Sequence, residues 1–274
     1  MNKVSYDLVK ELRNITGIGV LECKNALLNS NGNIKKAILN LRKEGIIKAE
    51  KKKINKTSNG IIFSCKNNHF GVILEILCET DFVSKNKNFY NFGKEIVKYS
   101  LKNKCKNLIK LKNVFENDRI ELLNKVNENI IINRFNFISG DIISCYSHYN
   151  KIGVLLSASL IKNKKKDYIN YKEILNNIAL HIAANKPEYL NFKDIPKDII
   201  DKEKIIQSEL SIKLNKPKEY FEKIVSGKIN KFFSNVVLMK QKLAMDDRKT
   251  VKEFTQENNV LIKKFIRFEI GEYK

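Results

Sequence analysis

Apolar positions in the first fifty residues recur at helical spacing, in three short blocks separated by glycine. Leu8, Val9, Leu12 and Ile15 fall on one stripe, Ser5 stands where an N-cap belongs, and Gly17 ends the block. A second block after Gly19 carries Val20, Cys23, Leu27 and Leu28, and Asn31-Gly32 breaks it. The third, with Ile34, Ala37, Ile38 and Leu41, follows the i, i+3, i+4, i+7 rule and is expected to stop at Gly45. Three amphipathic helices of this length can bury one another's stripes as a small bundle. The polar, basic stretch 48–59 reads as a linker.

The period then changes. Residues 60–64 and 70–78, rich in Ile, Val and Phe, read as strands with a turn at Asn67-Asn68. A helix with Phe89, Phe92, Ile96 and Val97 inward should follow, and another over 119–131 through Leu122, Leu123 and Val126. The same order then recurs. Residues 141–146 and 152–160 read as strands around His148-Tyr149-Asn150, and a helix over 171–184 holds His181 at a core or flank position. Phe70-Gly71-Val72-Ile73-Leu74 lines up with Ile152-Gly153-Val154-Leu155-Leu156, which hints at two similar halves. From 194 to 231 the pattern is helical in two arms, with Asn215-Lys216-Pro217 between them. Ile199, Ile205, Ile206 and Leu210 mark one arm; Phe221, Ile224, Val225 and Ile229 mark the other. This predicts an antiparallel hairpin whose apolar stripe either meets another chain or folds back on its own domain. Strands over 236–243 and 265–270, around a short helix at 249–257, close the sequence.

The pattern is that of an α+β protein. It divides into a three-helix domain over 1–56, a first core part over 57–140, a second core part over 141–186 and 232–274, and a hairpin over 187–231 inserted in the second part.

Composition changes this picture little. Hydrophobic residues make 43% of the chain and charged residues 30%, which suits a globular protein with a core. Lys and Arg number 52 against 30 Asp and Glu, a formal net charge of +22. Such a charge favours anionic partners: nucleic acid, a ribosome, or an acidic protein face. Lys and Asn also crowd every polar stretch, as in 51–53 and 162–166, and a biased base composition of the genome would produce that by itself. Five scattered cysteines without a C-x-x-C pair argue against a disulfide framework and a zinc knuckle, and for a reducing compartment. No N-terminal apolar leader segment and no run of about 20 apolar residues is present, so a cytoplasmic location with no membrane association is expected.

Candidate chemistry is sparse. His69, His148 and His181 lie at no metal-ligand spacing from one another, from carboxylates or from cysteines. There is no phosphate-binding loop of the form G-x-x-x-x-G-K-[ST], no G-x-G-x-x-G, and no recognisable nucleophile motif. The expectation is therefore a binding protein, not an enzyme, with no metal, no cofactor and no direct nucleotide binding. One segment is unusual. Cys78-Glu79-Thr80-Asp81-Phe82-Val83 directly follows a strong strand, where a turn should be small and polar, and puts an acid beside a large aromatic. Either Phe82 tucks under the next helix with Asp81 as its cap, or the ring is held out for a partner.

Several segments together resemble the elongation factor Ts family. Residues 9–19, Val9-Lys10-Glu11-Leu12-Arg13-Asn14-Ile15-Thr16-Gly17-Ile18-Gly19, are similar to its opening motif, and Cys23-Lys24-Asn25-Ala26-Leu27 and Gly45-Ile46-Ile47-Lys48-Ala49 continue it. Cys78-Glu79-Thr80-Asp81-Phe82-Val83 resembles the second signature. Asn127-Glu128-Asn129-Ile130, His181-Ile182-Ala183-Ala184-Asn185-Lys186-Pro187, Lys216-Pro217 and 265–271 extend the likeness, which runs from about Ser5 to Tyr273.

The resemblance implies a ubiquitin-associated-like bundle, two related α+β core subdomains, and an inserted antiparallel coiled-coil hairpin of dimerisation type. It implies guanine nucleotide exchange on elongation factor Tu, with a dimer of heterodimers through the hairpin as a further arrangement. By the same resemblance Thr80, Asp81, Phe82 and Val83 dislodge magnesium from the GTPase. Arg13, Val20, Leu21, Lys24 and Lys52 make other contacts, and His148 reaches a further domain. Val20 and Leu21 have a competing reading as core residues, and His148 as a solvated turn residue.

Two departures stand out. Asn127 occupies a position where the family commonly has Gly, and Lys274 follows Gly271-Glu272-Tyr273 where longer members continue into a C-terminal helical module. That module's contact is expected to be missing. The rival class is an RNA- or ribosome-binding module driven by charge, and it leaves RNA as an alternative partner; the sequence shows no aromatic cluster to serve it.

Overall fold

The computed structural model describes residues 4–161, 168–213 and 218–272. It is an α+β fold whose chain clusters into two compact units. One unit comprises 1–65, 72–137 and 268–274; the other comprises 66–71 and 138–267.

In the first unit, helices α1 (Tyr6–Thr16), α2 (Val20–Asn29) and α3 (Ile34–Lys52) pack around Leu12, Cys23, Leu27 and Ala37. The Ser5 hydroxyl accepts the amide of Leu8, and Gly17 ends α1 at φ +70°, as the sequence predicts. The third helix does not stop at Gly45. It continues to Lys52 and takes in much of the expected linker, because Gly45 lies where α3 packs against α7 (Glu116–Val126). A Cβ at that position would sit 1.9 Å from the side chain of Asn124, so the glycine serves close approach and not termination.

Strands β1 (Asn59–Lys66), β2 (Phe70–Cys78) and β3 (Ile131–Ser139) form a sheet in the order β1-β2-β3. Every residue of β2 is buried, which explains its unbroken apolar run. The one charge within it, Glu75, is held by Arg134 at 2.7 Å and by the Asn133 amide at 2.6 Å, both on β3. A buried carboxylate without such partners would be strongly destabilising.

The third strand was not foreseen. The helix expected over 119–131 ends instead at Val126, and Asn127 at φ +57° turns the chain into β3. Asn is the non-glycine residue best suited to that left-handed conformation, which accounts for its presence where the family commonly has Gly. After β2 come α4 (Asp81–Ser84), α5 (Lys87–Lys102) and α6 (Leu108–Val114), the last also unpredicted because it spans only two turns.

The second unit is built on β4 (Ile142–His148), β5 (Ile152–Leu160) and β8 (Val260–Glu269), in the order β4-β5-β8. The first two are antiparallel, with His148 opposite Ile152. Helix α8 (Tyr168–Asn185) packs on β4 and β5 through Ile174, Ile178 and Ile182. Its His181 is fully buried: the Ala244 amide donates to Nδ1, which leaves Nε2–H to donate to the Gln241 carbonyl oxygen at 2.9 Å. That side chain also donates to the carbonyls of Asn185 and Asn235.

Helices α9 (Lys197–Lys213) and α10 (Lys218–Val236) lie against each other. Ile195 and Ile199, at the start of α9, share a cluster with Phe233 and Val237 at the end of α10. Ile205, Ile206 and Leu210 on α9 are exposed. The expected turn at Asn215-Lys216-Pro217 and the side chains of Phe221 and Ile224 lie outside the described residues, as does 162–166.

The strand expected over 236–243 is mostly a short 3-10 turn, Leu238–Lys240, followed by the pair β6 (Lys242–Leu243) and β7 (Asp246–Thr250). Helix α11 (Val251–Glu257) begins in a reciprocal cap between Thr250 and Glu253. None of the five cysteines is in a disulfide.

Candidate functional site

The segment after β2 is tied down by polar groups from far along the chain. Glu128, just beyond α7, accepts the amides of Glu79 and Thr80 at 3.1 and 2.9 Å, and its other oxygen takes the Thr80 hydroxyl hydrogen. The Thr80 oxygen in turn accepts the amide of Val83, so Thr80, not Asp81, caps α4. Glu79 accepts the amide of Asn129 at 2.7 Å and the side chain of Asn55 at 3.0 Å, and its carbonyl accepts from Asn59. Burial works against the charge of Glu79. The Asn129 amide, the Asn55 side chain and the Lys52 charge outweigh it and hold its carboxyl below the usual range.

The four signature residues therefore divide. Thr80 and Val83 face inward, with Val83 buried, and fix the turn. Asp81 and Phe82 face out. Asp81 pairs with Lys85 one turn on, at 2.7 Å, and that bond holds its carboxyl below its ordinary value. Phe82 is 81% exposed. It does not tuck under the following helix, whose own Phe89 and Phe92 are buried. An exposed phenyl ring costs solvation free energy, yet this one is carried on a turn held by the hydrogen bonds of Glu128, Glu79 and Thr80.

A second exposed group lies at the corner between α1 and α2, in the same unit. Arg13 and Lys24 are exposed, as are Val20 (45%) and Leu21 (70%), so neither apolar residue belongs to the core. The core positions there are Ile18 and Cys23, whose thiol donates to the Ile18 carbonyl and is pushed up by burial. Lys52, expected as a further partner contact, also has a role within the chain. Its ammonium donates to the Asn127 carbonyl at 2.7 Å and lies close enough to Glu79 to stabilise its charge. It belongs to the support of the signature segment. Sequence reasoning placed Glu79, Glu128 and Asn129 in two motif-like segments but gave them no role and passed over Asn55; only the fold unites them.

In the other unit, His148 is exposed at the end of β4, where Lys151 N–H bonds back to the His148 carbonyl and closes a tight turn. Tyr146 and Tyr149 pack on its ring, an aromatic grouping that sequence reading did not find. Among the described residues no three His, Cys, Asp or Glu side chains gather as a metal site, and no helix is long and apolar enough to cross a membrane.

Comparison with known proteins gives a consistent picture. The family model described as elongation factor TS matches residues 79–272. Elongation factor Ts of Buchnera aphidicola subsp. Acyrthosiphon pisum (strain 5A) is 47% identical over 269 residues, covering 98% of this chain and 97% of that protein. The proteins of the same name from Photorhabdus laumondii and Cronobacter sakazakii are 41% and 40% identical, covering 99% of this chain and 94% and 93% of theirs.

Proposed function

This chain belongs to the elongation factor Ts family of translation elongation factors, and from that premise we propose that it is a guanine nucleotide exchange factor for elongation factor Tu. It acts by binding, not by covalent chemistry, and needs no cofactor. The observation that carries this reading is Phe82, a large ring held in solvent on a rigid mount beside a carboxylate. On the GTPase, magnesium bridges nucleotide phosphates and protein oxygens, so a wedge that displaces their supporting residues weakens GDP binding. Linkage then requires bound GDP to weaken binding of the factor by the same ratio, and each ligand helps to expel the other. Phe82 supplies the apolar anchor, Asp81 the adjacent charge, and Thr80 and Val83 hold the geometry. Arg13, Val20, Leu21 and Lys24 add a second contact at the α1–α2 corner, and His148 a third.

The finer architecture belongs to the same reading: a ubiquitin-associated-like bundle, two related core subdomains, and a coiled-coil hairpin from α9 and α10 able to pair two complexes in the cytoplasm. Exposed Ile205, Ile206 and Leu210 support the last point. The test is release of a fluorescent GDP analogue from elongation factor Tu. Wild type should accelerate release and Phe82→Ala should lose most of that acceleration, on the order of tenfold or more. The unfolding free energy of the variant should stay within about 0.5 kcal/mol of wild type, since Phe82 is 81% exposed. Full activity in Phe82→Ala would refute the wedge.

A further inference from the structure

We infer that Tyr149, at the β4–β5 tip, is the aromatic anchor of the contact assigned above to His148, and that His148 positions it. Three observations converge. Tyr149 has φ +48° and Asn150 φ +57°, and the His148 carbonyl accepts Lys151 N–H at 3.0 Å, the pattern of a type I′ turn. Such a turn favours Asn and Gly at its centre, and a bulky side chain at the first position is strained. Among the described residues, seven non-glycine positions have positive φ; four are Asn, two are Lys, and Tyr149 is the one aromatic. Strain of this kind persists where the side chain has a use.

Tyr149 is also 85% exposed, more than any other aromatic among the described residues. Nor is the ring loose. It meets the His148 ring edge-on at 4.5 Å, and His148 stacks in turn on Tyr146, whose hydroxyl lies 3.2 Å from Nδ1 of His148. A ring preset in this way loses little conformational entropy on docking, which is what an interface anchor requires.

The surroundings favour a protein partner over nucleic acid. In a chain of net charge +22, the stretch 142–160 contains one charged residue, Lys151. A phosphate-tracking site draws its affinity from several cations, and this tip does not offer them. The occupant we assign is the same GTPase, so the inference rests on the exchange reading.

The test uses the full chain and two variants, Tyr149→Gly and Tyr149→Asn, each replacing the ring with a residue that accepts positive φ. Urea unfolding and affinity for elongation factor Tu–GDP are measured together, with retention of single-stranded RNA as a third readout. The expected result is opposite movement: folding stability equal to or above wild type, and affinity weaker by about tenfold or more. His148→Ala should weaken affinity less. Unchanged affinity in both variants overturns the inference, as does a parallel fall of stability and affinity, which would make Tyr149 structural. Loss of RNA retention with GTPase affinity intact would assign the tip to nucleic acid and overturn it too. If wild type accelerates GDP release while the Tyr149 variants bind normally, this inference alone fails. If wild type does not accelerate release, the exchange reading fails and takes this one with it.

Discussion

The corner after β2 and the tip between β4 and β5 each hold an aromatic ring out in water, and they hold it by different physics. At the corner, Phe82 stands on a polar network in which two carboxylates, Glu79 and Glu128, gather the backbone amides of Glu79, Thr80 and Asn129 and the side-chain amide of Asn55, three residues past α3. At the tip, Tyr149 stands on a two-residue turn of fixed handedness and on the stacked rings of Tyr146 and His148. The first mount is assembled from residues some fifty positions apart, as with Glu128 and Thr80; the second lies within six consecutive residues. A distributed mount couples the ring to the folding of its whole unit. A local one decouples it. Damage to the support should therefore be expensive at the corner and cheap at the tip.

The largest expected effect tests that contrast directly. Glu128→Ala removes the acceptor of two backbone amides and of the Thr80 hydroxyl, and should destabilise the protein by about 2–3 kcal/mol. GDP release should also slow although Phe82 is intact. Tyr146→Phe, which removes only the hydroxyl from an exposed contact at the tip, should change stability by no more than about 0.5 kcal/mol. Chemical denaturation of the two variants side by side decides it; equal losses would remove the distinction.

Acid should separate the two units next. His181 is buried in the second unit, and burial holds its pKa below the ordinary 6.5 against the raising effect of Gln241. The unfolded chain then binds a proton that the folded chain refuses. Stability from this site is present above about pH 6.5 and declines as pH falls from there toward the lowered folded value. Glu79 in the first unit is also held below its ordinary value, here 4.5, so its contribution is present above about pH 4.5 and is lost as pH falls through the folded value. Amide hydrogen exchange at pH 7.5 and 5.5 should show protection falling around Ala244 and Gln241 while the amides of Thr80 and Asn129 hold. His181→Gln should abolish the difference between the two pH values in the second unit. Early loss at Thr80 and Asn129 would reverse the assignment.

How far each region could be read from the sequence follows from the same contrast. The strands flanking the tip, the turn itself, the Ser5 and Gly17 caps of α1 and the starts of α2 and α3 are local patterns, and they appeared where periodicity placed them. What failed was non-local. Gly45 carries the signal of a helix stop, but its meaning is the approach of Asn124, eighty positions on. Lys52 carries the signal of a surface charge, and its bond to the Asn127 carbonyl could not be read from spacing. β3 was overlooked because its polar residues, Asn133 and Arg134, serve Glu75 on the neighbouring strand and so break the alternation of an ordinary strand. Phe82 stood out as an anomaly in the sequence. Its exposure was undecidable there, because the Glu128 that holds the backbone cannot be linked to it by spacing.

The smallest effect is the sharpest for the comparison, because both regions contain an Asn at positive φ that glycine could replace. Asn127 closes α7 at φ +57°, and Asn150 occupies the second centre of the tip turn at the same angle. Glycine carries no Cβ penalty there, so each substitution should raise stability by a few tenths of a kcal/mol, less the extra freedom that glycine gives the unfolded chain. The two are not equivalent in function. Asn150→Gly leaves the ring of Tyr149 and its stack in place and should leave affinity unchanged. Asn127→Gly keeps the carbonyl that Lys52 needs but loosens the segment leading to Glu128 and Asn129. A measurable slowing of GDP release in that variant, at unchanged or higher stability, would mean that exchange depends on the stiffness of the mount and not only on the presence of the ring. Identical behaviour of the two variants would mean that Phe82 needs only to be exposed.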